Sequence, residues 1–164
     1  MKKILCIFLL LFIPFCACAK RGEYKDDVTC RLITNELATL CPTENGYSNF
    51  GTEQIKYFFD DTDIPTDYSL IYSTDAEDIN EIGIFHCANA DDAEEMLEIA
   101  REYIKDMQET QVNFVSSYAP YEIPKLEGAE VRRYGNYVVY VILDTNERKT
   151  AFSTIEKALA NENK

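Results

Sequence analysis

Apolar positions along the chain recur with two periods, and each predicts its own kind of element. In the region 91–111, Ala93, Met96, Leu97, Ala100, Tyr103, Ile104, Met107 and Gln111 fall on one helical face, while Glu94, Glu98, Arg101, Glu102 and Lys105 take the other. Asp91 with Glu94 three residues on predicts the cap of that helix. An earlier stripe of Cys30, Ile33, Leu37, Leu40 and Cys41 predicts a helix over 28–41, capped by Asp26 or Asp27 and stopped by Pro42. A last stripe of Ala151, Phe152, Ile155, Ala158 and Leu159 predicts a C-terminal helix capped by Thr145 or Asn146.

Strand-like runs stand at 68–74 and 81–87, joined by a short polar stretch, and read as an antiparallel hairpin. A second hairpin is predicted from 131–134, a two-residue Gly135-Asn136 turn, and 137–144. That turn sets Tyr134 opposite Tyr137 and Arg132 opposite Val139. The run after the turn is apolar at odd and even positions alike, the pattern of a central strand. Residues 42–51 read as loop, 52–59 as a short amphipathic helix, and 60–67 as an acidic loop. With Pro120, Pro124 and Gly128, residues 114–130 read as extended linker with at most one helical turn. The expected fold is therefore α+β, a two-layer sandwich in which helices pack on one side of an antiparallel sheet of about four strands.

The chain start has a different pattern. Lys2 and Lys3 precede an apolar run over 4–15, too short for the roughly 20 residues that span a bilayer and suited to a signal peptide. Residues 17–19 allow two cuts. Ala17-Cys18-Ala19 offers small residues for release after Ala19, and Ala17 before Cys18 makes a lipobox-like site in which Cys18 is diacylated. We favour Cys18 as a lipid anchor, with plain secretion as the alternative; Phe15, where such boxes usually carry Leu, and Pro14 behind it depart from the lipobox pattern. The organisation read from the chain is a signal peptide over 1–19, a short charged tether over 20–27, and one α+β domain over 28–164.

Charge narrows the partners. The net charge is −13, and because Lys2 and Lys3 fall in the signal, 14 basic residues face 29 acidic ones afterwards, a net −15. Such a surface repels phosphate backbones and anionic headgroups, so no nucleic-acid partner is expected and membrane contact is expected only through the N-terminal lipid. With 46% hydrophobic residues the chain can nonetheless bury a core. Cys30, Cys41 and Cys87 lie past the signal, an odd number. The nearest pair, Cys30 and Cys41, spans eleven helical residues, roughly 16 Å, against the 7 Å or so that a disulfide allows. All three read as buried free thiols, with a Cys30–Cys41 disulfide, which would require the helix to break, as the alternative.

Few residues offer chemistry. His86 is the single histidine, and on a strand its neighbour Cys87 points to the opposite face, so it reads as a satisfied strand-end side chain. Asp60, Asp61, Asp63 and Asp67 flank one loop, but counting from Asp61 sets Pro65 and Tyr72 where a calcium loop needs a ligand and a bidentate Glu. They read as a solvated loop, with a weak cation site as the alternative. Tyr47, Tyr118 and Tyr121 lie in expected loops, where tyrosine supplies contact area at low entropy cost, and packing of the linker is the competing reading. Arg132 and Arg133 form an adjacent basic pair within the domain. No cofactor fingerprint, catalytic motif or metal-ligand spacing occurs.

"EIGIFH" before an acidic amphipathic helix, then Phe114, Tyr118 and Pro120, "KLEGAEV" over 125–131 and "GNYVVYVI" over 135–142 together resemble a family of exported, often lipoprotein-like proteins of Gram-positive bacteria, domain of unknown function 4358. The resemblance covers roughly 65–160. It implies an extracytoplasmic location, commonly by lipid anchor, and supplies no activity, cofactor or catalytic residue. The functional expectation is a noncatalytic binding or scaffolding domain of the cell envelope, meeting a basic partner protein or envelope component. The alternatives are an envelope-polymer hydrolase using paired carboxylates and a weak cation-binding module.

Overall fold

A computed structural model of the chain describes residues 23–51, 55 and 64–161. The signal peptide expected over 1–19, with Cys18, nearly all of the short helix expected at 52–59, and Asp60, Asp61 and Asp63 lie outside the described residues. The elements in chain order are α1 (Cys30–Leu40), β1 (Tyr47–Asn49), β2 (Asp67–Ser73), β3 (Glu81–His86), α2 (Ala90–Thr110), α3 (Val112–Tyr118), a 3-10 turn (Pro120–Glu122), α4 (Ile123–Glu127), β4 (Glu130–Tyr134), β5 (Tyr137–Ile142) and α5 (Thr145–Leu159).

Among the described residues, five strands form one open antiparallel sheet in the order β1-β2-β3-β5-β4. Both expected hairpins are present, and the second has the expected register, Tyr134 opposite Tyr137 and Arg132 opposite Val139. Gly135, at φ +61°, takes the left-handed conformation that a two-residue hairpin turn requires. The class is α+β with helices on the sheet. The sheet has five strands rather than about four, because β1 forms inside the stretch read as loop, entered through Gly46 at φ +81°.

Helices also cover both faces of the sheet, not one. Tyr137, Val139 and Val141 of β5 are buried with Ile33 and Leu37 of α1 and Phe152 and Ile155 of α5. The alternate residues Val138, Tyr140 and Ile142 are buried with Met96, Ala100 and Ile104 of α2. A strand apolar on both faces needs a cover on each, and burying each such side chain contributes about 1.5–3 kcal/mol. A one-sided, two-layer arrangement would leave half of β5 in water.

Helix starts differ from the expected caps by a residue or more. Asn89, not Asp91, caps α2, its Oδ1 accepting from the backbone N–H of Asp91 and Asp92. Asp144, not Thr145 or Asn146, caps α5 in the same way, accepting from Asn146 and Glu147. At α1 the cap position is Thr29, whose side chain makes no capping bond. Asp67 of β2 supplies the acceptor instead, at 2.9 Å from the Cys30 N–H. Asp26 and Asp27 are therefore not needed there. Asp26 accepts hydrogen bonds from His86 Nε2 at 2.8 Å and from Asn136, while the Tyr24 ring meets Tyr134 edge-on at 5.5 Å. Lys25 N–H donates to the Leu159 carbonyl at 2.7 Å. Residues 24–26, read as part of a tether, are thus docked against the domain. Cys30, Cys41 and Cys87 are free and buried, and burial raises all three thiols, Cys41 and Cys87 to about 11.

Candidate binding face

The segment read as extended linker is instead a compact helical unit of α3, the 3-10 turn and α4. Pro120 and Pro124 do not break it, because each sits in a first turn, where a backbone N–H has no helical partner to lose. Val115, Ala119, Glu122 and Leu126 are buried beneath the unit. Opposite them Phe114, Tyr118 and Tyr121 stand 60%, 68% and 59% exposed. Phe114 and Tyr118, one helical turn apart, have ring centroids 4.7 Å apart with planes at 35°. Tyr121 is held by its hydroxyl, which donates to Glu77 Oε2 at 2.9 Å.

A buried ionic cluster fixes the unit to the loop between β2 and β3. Lys125 Nζ lies 2.7 Å from Glu122 Oε2 and 2.9 Å from Asp78 Oδ1. Glu122 Oε2 also accepts from the Ile79 N–H at 3.1 Å. Burial works to lower the Lys125 pKa, but the hydrogen bonds and charges of Glu122 and Asp78 outweigh it and hold the value above the ordinary one. The aromatic side chains therefore project from a rigid base. Along the solvent side of α2, which ends two residues before α3, Glu94, Glu95, Glu98, Glu102, Asp106 and Glu109 are exposed among only Arg101 and Lys105. A tilted aromatic pair and a pinned tyrosine beside an acidic helix suit contact with an amphipathic, cationic surface, through ring area and cation–π attraction.

The remaining sequence candidates take structural positions. Tyr47 lies in β1, half-buried, with its hydroxyl donating to the Cys41 carbonyl at 2.8 Å. His86 is bound to Asp26, and its ring lies 4.5 Å from that of Tyr137. Cys87 is buried on the α2 side, so the two are not brought together. Asp67 is engaged at the start of α1, away from any ligand role, and among the described residues no group of three His, Cys, Asp or Glu side chains is arranged for a metal ion. Arg132 pairs with Glu130 at 2.7 Å and covers the Phe152 ring at 3.8 Å. Arg133 pairs with Glu94.

Two sets of carboxylates invite the hydrolase reading, and neither has the form it needs. Asp78 and Glu122 are both tied to Lys125, which lies between them as a shared partner. Glu81 lies buried at the start of β3, accepting from Tyr103 at 2.7 Å and from Tyr140 at 2.6 Å. Burial raises its pKa to about 7 against the pull of those two hydrogen bonds. Tyr140 reaches it by lying across Gly83, where a Cβ would clash with the ring. A buried carboxyl capped by two phenols is a core feature, and among the described residues its side-chain partners are those phenols rather than a second carboxyl.

Sequence reasoning misses Phe114 as a contact residue, although its spacing of four from Tyr118 is the available signal.

The sequence profile of one family, described as domain of unknown function (DUF4358), matches residues 43–143, more than half of the chain. The chain belongs to that family. The DUF4358 match runs from just before β1 to just after β5 and takes in the aromatic face and the Glu81 cluster, while α1 and α5 lie outside it. No curated protein and no solved structure matches the chain.

Proposed function

We propose that the protein is a noncatalytic binding domain of the cell envelope, exported by its N-terminal signal and held at the membrane through Cys18. The face formed by Phe114, Tyr118 and Tyr121 is its contact surface for a basic partner. The observation that carries the reading is the exposure of three aromatic side chains on a unit whose opposite side is buried and ionically fixed. Large exposed aromatics clustered on a rigid base are the composition of an interaction site rather than of ordinary surface. The charge left once Lys2 and Lys3 are removed, −15, favours a basic partner.

The test is a titration of the isotopically labelled protein with a Lys- and Arg-rich peptide, followed by NMR. The expected result is perturbation centred on residues 114–121, weakening as salt screens the charges. Perturbation confined to the acidic side of α2, with the three aromatic residues unmoved, would contradict the reading. So would binding that added salt leaves unchanged.

A further inference from the structure

Among the described residues, the order of the sheet leaves β4 as an edge. Its hydrogen-bonding parity comes from the hairpin. Tyr134 and Tyr137 flank a two-residue turn and form its closing pair, so Glu130, Arg132 and Tyr134 direct their backbone groups to β5. Val131 and Arg133 direct theirs outward. An open depression of about 420 Å³ lies along this edge, flanked by Leu97 and Arg101 of α2 on one side and Glu156 of α5 on the other. A free edge with a slot beside it accepts an added strand.

Charge decides which strand. Two copies of β4 paired antiparallel about a dyad perpendicular to the sheet set residues of the same face opposite each other. A dyad at Glu130, Arg132 or Arg133 sets like charges face to face, which destabilises a pair. A dyad at Val131 does not. It sets Val131 against Val131, Arg133 against Ala129, and Glu130 against Arg132 of the second copy twice over. Arg132 and Glu130 have side chains 47% and 39% exposed on that face, where Glu130 also meets Arg148 at 2.9 Å and Arg132 lies over Phe152, so the intermolecular pairs add to contacts already made. Charged residues on an edge strand ordinarily discourage pairing; here they disfavour the registers centred on Glu130, Arg132 and Arg133, and of those left the one centred on Val131 alone pairs Glu130 with Arg132 twice.

We propose that β4 is a self-association edge, through which two copies of this chain pair antiparallel about Val131 and join their sheets. The test is sedimentation of the purified protein over its soluble concentration range, comparing native with Val131→Pro and Arg132→Glu. Proline at 131 removes an outward N–H that β5 does not use, so the fold tolerates it while the edge is blocked. Arg132→Glu sets a carboxylate opposite Glu130 of the second copy, and because Arg132 is exposed it decides the question even if the proline variant folds poorly. The expected result is a native species of twice the chain mass, with both substitutions giving monomers of native-like circular dichroism. A native protein that stays monomeric at its highest soluble concentration, or a folded Val131→Pro or Arg132→Glu protein that remains dimeric, would overturn the proposal.

Discussion

Glu81 makes the stability of the domain depend on pH in a direction opposite to that of most carboxylates. Its folded pKa is about 7 against an ordinary 4.5, because burial disfavours the charge more than Tyr103 and Tyr140 stabilise it. Between those values the folded protein holds a proton that the unfolded chain has released. Stability therefore falls as pH rises from about 4.5 to about 7, and is level above. Glu81→Gln is expected to abolish this fall of about 3 kcal/mol across the window, read from urea unfolding at several pH values. The same cluster explains Gly83. An alanine there would collide with the Tyr140 ring and displace its hydroxyl from Glu81. Gly83→Ala is expected to destabilise by about 1–3 kcal/mol, measured as a lower denaturation midpoint with unchanged slope.

Among the elements, the unit of α3, the 3-10 turn and α4 depends on Lys125. Lys125→Met leaves Glu122 buried without its cation and is expected to cost about 3–5 kcal/mol. Hydrogen exchange would show the loss as faster exchange at 112–127 and in the 74–80 loop, ahead of the sheet. This unit also shows where sequence reasoning fails. Two prolines read as breakers, because their role depends on whether they fall in a first turn, and that depends on Val115, Ala119 and Leu126 finding burial. β1 is illegible for a related reason. Three residues among Pro, Asn and Gly carry no period, and only pairing with β2 makes them a strand. By contrast α2 and the β4–β5 hairpin are legible, since a long apolar stripe and a Gly-Asn turn each determine structure locally. The caps resist assignment because several adjacent polar residues can serve, and at α1 the acceptor, Asp67, comes from 37 residues away in sequence. The candidate site is legible only in part. Tyr118 and Tyr121 stand out as tyrosines of an expected loop, but their grouping with Phe114 requires the helix.

At the scale of the whole molecule, a sheet covered on both faces leaves function to its edges and to the helical unit at its side. The proposed export signal over 4–15 and anchor at Cys18 have a test of their own. Intact mass of the protein from membranes is expected to show a chain beginning at Cys18 with a diacylglycerol adduct; a chain beginning at Lys20 without one would make it a secreted protein. The central claim, that Phe114, Tyr118 and Tyr121 are a binding face, is tested most directly by photo-crosslinking in intact cells, with a benzophenone amino acid at position 118 and, as a control, at exposed position 153 of α5. The expected result is a discrete adduct with a basic envelope protein from position 118 that position 153 does not give, and that is lost when Phe114 and Tyr121 are changed to Ser. The same adducts from both positions, or none from position 118, would contradict the claim.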